Sequence, residues 1–257
     1  MAHIMFASHS ACHIGVPKPG GIRPNEDKIF FDHTRGLFLV ADGMGGPGGG
    51  KFASAMVVDC VNQICIGRPT RAVLVSAMQE ANDRMVHTSE MKHLNQQDYM
   101  GCVATMAWID VEDPNGRTLI AHIGDTRAWD FEFDGNGHRL TIDHGLTNHL
   151  PEARAMRDPD RCIVTRALGQ ERSRDRIHSQ WIDVVDTFRL IPERLLLLVS
   201  DGVSDYLNSA ALANTVTAEW SKGPVGITDK ILKRTLDEQR LQATGDNIGI
   251  VAVIRTS

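Results

Sequence analysis

The chain has 257 residues, of which 42% are hydrophobic and 23% are charged, and its formal net charge is −5. These values are ordinary for a globular protein that buries a sizeable core. The slight acidic excess argues against nucleic acid as a partner. No apolar run reaches the roughly 20 residues that a membrane-spanning helix needs, so we also expect no membrane partner.

The cysteines indicate a reducing compartment, and the sequence contains no internal repeat or linker that would divide it into domains. The five cysteines are odd in number and form no Cys-x-x-Cys pair, which favours free thiols and a cytoplasmic location. The start of the chain lacks the basic and apolar segments of a signal peptide. We expect residues 1–20 to be an N-terminal tail or a first strand, with a mobile tail preferred, and residues 21–257 to form one domain.

Short apolar runs rich in β-branched and aromatic residues predict strands. Turn signals at Pro114-Asn115-Gly116 and at Asp134-Gly135-Asn136-Gly137 indicate hairpins, because these residues tolerate positive φ. The predicted strands are Ile29–Asp32, Gly36–Ala41, Cys102–Val111, Thr118–Gly124, Ala128–Phe133, Ile177–Val185, Leu195–Ser200 and Ile248–Arg255.

Apolar residues at helical spacing predict two pairs of helices. One pair follows the first two strands and the other precedes the last strand, and this segregation predicts an α+β fold with antiparallel sheets. The polar segment 145–163 is expected to be a surface excursion with one short helix. The predicted helices are Ala53–Cys65, Arg71–Ser89, Ser209–Trp220 and Ile227–Leu241.

Aspartates beside glycines recur where the predicted strands end. A single Asp-Gly pair is usually only a turn, but several at strand ends indicate a cation site. Oxygen ligands with almost no histidine nearby suit magnesium or manganese better than zinc. The glycines are expected to allow positive φ and to leave a carbonyl oxygen accessible. The acidic motifs are Glu26-Asp27, Asp42-Gly43, Gly124-Asp125, Asp201-Gly202 and Gly245-Asp246.

Seven segments, taken in order, resemble the motifs of the metal-dependent PPM family, the type 2C protein phosphatases. The resemblance extends from about Gly21 to the end of the chain. The segments are RPNED, LFLVADGMGG, LIAHIGDTRAW, LTIDHG, IVTRALG, LLLLVSDGVSDYL and DNIGIVAV.

This resemblance implies a fold and an activity. The fold would be a four-layer αββα sandwich, in which two central antiparallel sheets are flanked by pairs of helices. Residues 21–257 would be the catalytic domain, with a short flap at about 145–163. The activity would be hydrolysis of phosphoserine and phosphothreonine in proteins, such as the targets of bacterial Ser/Thr kinases. Water held between two Mg²⁺ or Mn²⁺ ions would attack phosphorus directly, and a monomer is expected.

The resemblance also implies the metal ligands of the first two acidic motifs. Asp42 would bridge the two ions and so act as a catalytic residue, and the carbonyl oxygen of Gly43 would join one of them. Asp27 would hold a metal mainly through coordinated water. Glu26 would lie close by, outside the ligand set.

The remaining motifs would complete the site. Asp201 and Asp246 would finish the binuclear centre, and Asn247 would brace Asp246. Asp125 together with Asp201 would hold a possible third ion. Arg23 would bind the phosphoryl oxygens of the substrate, since a guanidinium offers paired donors.

Two alternatives remain open at this point. The chain could be an inactive pseudophosphatase with a binding or regulatory role, although all four core aspartates are present. It could also use a thiol nucleophile, because Cys65 and Arg71 have the Cys-x5-Arg spacing of cysteine-dependent phosphatases. That mechanism needs its cysteine ahead of a helix N-terminus, whereas Cys65 ends a predicted helix.

Overall fold

The computed structural model describes residues 4–17, 24–45, 49–92, 99–169 and 181–256. The strands in these ranges are β1 (Phe6–His13), β2 (Asp27–Asp32), β3 (Leu37–Met44), β4 (Gly101–Ile109), β5 (Thr118–Ile123), β6 (Arg127–Glu132), β7 (Gly137–Arg139), β8 (Asp183–Val185), β9 (Arg194–Val199) and β10 (Ile248–Arg255). The α-helices are α1 (Gly49–Ile64), α2 (Arg71–Met91), α3 (Glu152–Ala155), α4 (Asp201–Ser204), α5 (Ser209–Glu219) and α6 (Gly223–Leu241).

The strands form two five-stranded antiparallel sheets. One sheet has the order β1-β10-β9-β6-β7, and the other has the order β2-β3-β4-β5-β8. The turn between β5 and β6 therefore carries the chain from one sheet to the other. None of the described helices is long and apolar enough to cross a membrane.

Alternating side chains show that both faces of each sheet are buried. In β9, Leu195 and Leu197 pack among residues of α5 and α6. Leu196 and Leu198 point the other way, into a core that they share with Phe38 of the second sheet. Successive side chains of a strand project to opposite faces, so this apolar run lies between a helical layer and the other sheet.

The second sheet repeats this arrangement with α1 and α2. Leu37 and Leu39 of β3 belong to the core that contains Val57 of α1 and Met78 of α2. The layers are therefore helices, sheet, sheet and helices. The αββα sandwich expected from the sequence is confirmed.

The structure differs from the sequence-based expectations mainly at sheet edges. Phe6–His13 is a strand that pairs with β10 along its whole length, so the mobile-tail interpretation is wrong for these residues. The short edge strand Gly137–Arg139 was not predicted. The predicted strand Ile177–Val185 is described only from residue 181 onward, and β8 covers its last three residues.

Candidate metal centre

The strand connections bring the aspartates of the acidic motifs to one end of the sandwich. Asp27 at the start of β2 lies directly opposite Asp42 near the end of β3. Asp125 lies in the turn that joins β5 to β6, and Asp201 opens α4 two residues after β9 ends. Asp246 precedes β10, the antiparallel neighbour of β9.

Asp27 is the most enclosed of these carboxylates, with 1% of its surface exposed. The Ser200 hydroxyl donates to its Oδ2 over 2.7 Å, and that hydroxyl accepts the Gly249 N–H over 2.8 Å. The other oxygen, Oδ1, is buried and has no hydrogen-bond partner among the described residues. Ser200 thus fixes the carboxylate in one orientation and leaves one oxygen unsatisfied.

Burial and repulsion between neighbouring charges raise the pKa values of Asp27, Asp42, Asp125 and Asp201. Burial raises the pKa of Asp27 to about 8, with the charges of Asp201 and Asp246 adding to the rise and the Ser200 hydrogen bond opposing it. Burial followed by the charge of Asp27 holds the pKa of Asp42 well above its ordinary value. Burial raises the pKa of Asp125 to about 7, and Asp143 adds to it.

Asp201 completes this network of repelling charges. Its pKa is raised well above the ordinary value by burial, then by the charges of Asp42, Asp125 and Asp246. The charge of Asp42 has the largest effect of these three charges, so the carboxyls of Asp42 and Asp201 lie close to each other. Carboxyls with raised pKa values retain their protons unless a cation is present to neutralise their charge.

The residues at this end of the sandwich fit a hard divalent cation. Among the residues that the structure describes, no three His, Cys, Asp or Glu side chains are gathered tightly enough to hold an ion as they stand. The Oδ1 of Asp27, which has no partner among the described residues, and the neighbouring carboxyls nevertheless offer a cation oxygen ligands and negative charge. Buried carboxylate oxygen without a partner is costly, and oxygen-rich sites are those that Mg²⁺ and Mn²⁺ prefer.

Asn247 connects three neighbouring segments at this site. Its backbone N–H donates to Asp246 Oδ1 over 3.0 Å. Its side chain accepts the Glu26 N–H over 2.7 Å and donates to the Ile14 carbonyl over 3.0 Å. The backbone of Asn247 thus contacts Asp246, whereas its side chain positions the Glu26-Asp27 segment.

The glycines beside the aspartates are needed mostly for close backbone packing. Only Gly124 has the expected positive φ, at 99°. A Cβ on Gly202 would lie 1.7 Å from the Asn247 carbonyl oxygen, and one on Gly43 would lie 1.9 Å from the Gly50 carbonyl oxygen. The expectation of positive φ is therefore wrong at Gly43 and Gly202, where the absence of a side chain lets two backbones touch.

His144 holds the Asp125 turn from the side of the flap. Its Nδ1 accepts the Gly124 N–H over 3.1 Å, and its own backbone N–H donates to the Gly124 carbonyl over 2.7 Å. Its Nε2 contacts Asp183 over 3.1 Å. The sequence analysis predicted no role for Ser200 or His144. Ser200 lies in the motif LLLLVSDGVSDYL, directly before Asp201, and His144 lies in the motif LTIDHG.

The flap, residues 145–163, covers a cavity beside Asp125 and Asp201. The cavity has a volume of about 230 Å³ and is also lined by Arg127 and Arg139. A bridge between Gly145 and Val164 closes the base of the flap.

Two polar contacts attach the flap to the far wall of this cavity. Glu152 accepts the backbone N–H of Ser209 at the start of α5 over 2.9 Å, and it also bonds the Ser209 hydroxyl. Arg161 donates to Asp205 over 3.1 Å.

Two further residues were named by the sequence-based hypotheses, one as a phosphate ligand and one as a thiol nucleophile. Arg23, the expected phosphate ligand, lies outside the described residues. Cys65 is fully buried just after α1 ends, and burial raises the pKa of its thiol to about 12. A buried, protonated thiol is a poor nucleophile, so the structure does not support the thiol mechanism.

A model of the family described as protein phosphatase 2C matches residues 23–248. The chain belongs to the protein phosphatase 2C family. The match confirms the family that the seven motifs predicted. It also confirms the predicted enzyme class, protein-serine/threonine phosphatase. The curated relatives of this protein phosphatase 2C include a serine/threonine phosphatase of Listeria innocua named stp, which is 29% identical over 75% of this chain and 74% of its own length.

Solved structures share the fold at lower identity. The serine/threonine phosphatase PstP/Ppp of Mycobacterium tuberculosis is 21% identical, with 98% of each chain covered and a TM-score of 0.80. The catalytic domain of PstP in complex with two manganese ions is also 21% identical, with 99% of this chain and 100% of that chain covered and a TM-score of 0.78. At this identity the structures support the αββα architecture alone.

Proposed function

We propose that this protein phosphatase 2C hydrolyses phosphoserine and phosphothreonine in proteins at the acidic end of its sandwich, with Mg²⁺ or Mn²⁺ as cofactor. The observation that carries the proposal is the environment of Asp27. Its buried Oδ1 has no hydrogen-bond partner among the described residues, and the neighbouring charges of Asp201 and Asp246 raise the pKa of the carboxyl further. Family membership and a structural neighbour described with two manganese ions support the same cofactor.

The proposed ligands follow the acidic motifs. Asp27, Asp42, Asp201 and Asp246 would hold two ions, and the Gly43 carbonyl would join them. Bound ions of this kind activate water and neutralise phosphate charge. Asp125, whose charge acts on both Asp42 and Asp201, would complete a third and weaker site with Asp201.

The other residues orient these ligands and the substrate. Ser200 holds the Asp27 carboxylate so that Oδ1 stays available, and Asn247 ties Glu26 to the start of β10. His144 keeps the Asp125 turn in place. Arg23 is proposed to bind the phosphoryl oxygens, in line with its position in the first motif.

Nothing in the described residues favours the alternative of an inactive pseudophosphatase, because the four core aspartates are present and lie together. We further propose phosphoproteins made by bacterial Ser/Thr kinases as substrates, a monomeric chain and a cytoplasmic location. The motifs support the proposed substrates, and the odd number of cysteines without a Cys-x-x-Cys pair supports the location. The monomeric state is carried over from the expectation that accompanied the family resemblance.

The test is hydrolysis of a phosphothreonine peptide by the purified chain in the presence of Mn²⁺, Mg²⁺ or a chelator. We expect phosphate release with either ion and none with the chelator, with activity restored when Mn²⁺ is added back. Absence of turnover of both a phosphopeptide and an aryl phosphate by the metal-loaded chain would refute the proposal.

A further inference from the structure

The cavity under the flap contains an arginine without a carboxylate of its own. Arg127 donates through Nε and Nη2 to both oxygens of Asp143, at 2.6 to 3.1 Å. Arg139 reaches the same carboxylate only through Nη1, over 3.4 Å. Two guanidinium groups thus share one carboxylate, and the nearer one already occupies both of its oxygens.

Two other charged side chains on the cavity wall already have polar partners. Arg161 pairs with Asp205, and Glu152 is held by the N-terminal end of α5. Asp125 and Asp201 also line the cavity and are proposed above as ligands of the cations. The remaining cation is Arg139, whose Nε and Nη2 have no acceptor among the described residues. Its side chain is 32% exposed, against 14% for Arg127, so it is accessible from the cavity.

The size and the apolar surface of the cavity fit one amino-acid side chain. A volume of about 230 Å³ equals roughly seven or eight waters at about 30 Å³ each. Leu150 and Met156 of the flap supply apolar contacts on one side. A guanidinium with free paired donors binds a carboxylate in preference to a neutral group.

We propose that Arg139 selects phosphoprotein substrates that carry an aspartate or glutamate close to the phosphorylated residue, with the acidic side chain entering the cavity under the flap. The cavity adjoins Asp125 and Asp201, so a peptide whose phosphate lies at the metal centre has its neighbouring residues beside Arg139. This inference rests on the proposed function and adds the substrate class to it.

The experiment compares phosphothreonine peptides that differ only in a glutamate or a glutamine, placed in turn at each position near the phosphoresidue. At one position we expect kcat/KM for the unmodified chain to favour glutamate about tenfold, the size of one charge-assisted hydrogen bond. In Arg139→Ala this ratio should fall close to one, and in Arg139→Lys it should be intermediate. Added salt should reduce the ratio in the unmodified chain.

The matched control is Arg157→Ala, which removes an exposed flap arginine that does not line the cavity. Its ratio should equal that of the unmodified chain. The inference is overturned if no position shows a preference for glutamate, or if Arg139→Ala shows the same preference as the unmodified chain. In either case, hydrolysis of the peptides would still support the proposed phosphatase activity. Loss of all hydrolysis, including that of an aryl phosphate by the metal-loaded unmodified chain, would instead overturn the proposed function. Circular dichroism verifies that each variant is folded.

Discussion

A single hydroxyl determines how the most buried carboxylate of the site is presented. Ser200 accepts a backbone N–H from β10 and donates to Asp27 on β2, and therefore links the two sheets at the acidic end. Groups that orient metal ligands in this way commonly change metal affinity by about 10–100-fold when they are removed. Without the Ser200 hydroxyl, the Asp27 side chain could rotate and present its oxygens to water or to neighbouring carboxyls.

We therefore expect Ser200→Ala to weaken Mn²⁺ binding by about tenfold or more, as measured by isothermal titration calorimetry. We also expect the variant to lose phosphatase activity at low Mn²⁺ concentration and to regain it at high Mn²⁺ concentration. Thr228→Val is the control, because it removes a buried hydroxyl of α6 that has no hydrogen-bond partner among the described residues. Unchanged Mn²⁺ affinity in Ser200→Ala would show that the hydroxyl serves only the fold.

The sequence predicted the aspartates of the site but not the groups that orient them. The carboxylates could be found because each occurs at one end of an apolar strand run, and all except Asp27 occur beside a glycine. Ser200 and His144 act through hydrogen bonds to residues 173 and 20 positions away, which only the paired strands reveal. The role of Gly202 was misjudged because close approach of two backbones leaves no local pattern in the sequence.

At the scale of elements, the flap is attached to the rest of the protein through its short helix. The carboxylate of Glu152 in α3 lies against the first residue of α5, Ser209, and accepts hydrogen bonds from its backbone N–H and its hydroxyl. A carboxylate is favoured at a helix N-terminus by the orientation of the peptide dipoles. This contact keeps the flap closed over the cavity beside Asp125.

Glu152→Ala should therefore loosen the flap without unfolding the sandwich. We expect limited proteolysis to cut faster within residues 145–163, while the melting temperature changes little because α3 buries no residue. Arg154→Ala, an exposed change on the same helix, serves as the control. Equal cleavage rates in the two variants would contradict a role for Glu152 in holding the flap.

The elements that the sequence predicted are those with strong burial patterns. The central strands β3, β4, β9 and β10 are nearly continuous apolar runs, because both of their faces are covered. Edge strands lack such runs: β1 is only partly buried and β7 has three residues. The four-residue helix α4 is too short to show a helical pattern in the sequence, and so it was also missed.

At the scale of the whole molecule, the aspartates at the acidic end make the stability of the metal-free protein depend on pH. The folded pKa values of Asp27 and Asp125, about 8 and about 7, lie above the ordinary value of 3.8. Between the ordinary value of 3.8 and these folded values, the folded state therefore binds more protons than the unfolded state. Their contribution to stability is complete below the ordinary value and is lost as pH rises through the folded values.

In the presence of a chelator, the melting temperature should therefore fall between pH 5.5 and pH 8. Mn²⁺ should raise it most at pH 8, because the deprotonated carboxylates bind the cation. Asp27→Asn should make the decline with pH shallower. A melting temperature of the chelated protein that rises over this range would contradict the assigned carboxyl pKa values.

The central claim is that the clustered aspartates hold the divalent cations with which this protein phosphatase 2C hydrolyses phosphoproteins. Asp42 tests it most directly, since it lies opposite Asp27 and its charge raises the pKa of Asp201. The measurement is Mn²⁺ binding and phosphothreonine-peptide hydrolysis on the same samples of the unmodified chain and Asp42→Asn. We predict that the variant stays folded and loses both Mn²⁺ binding and hydrolysis, whereas a variant with the full rate and unchanged Mn²⁺ affinity would contradict the account.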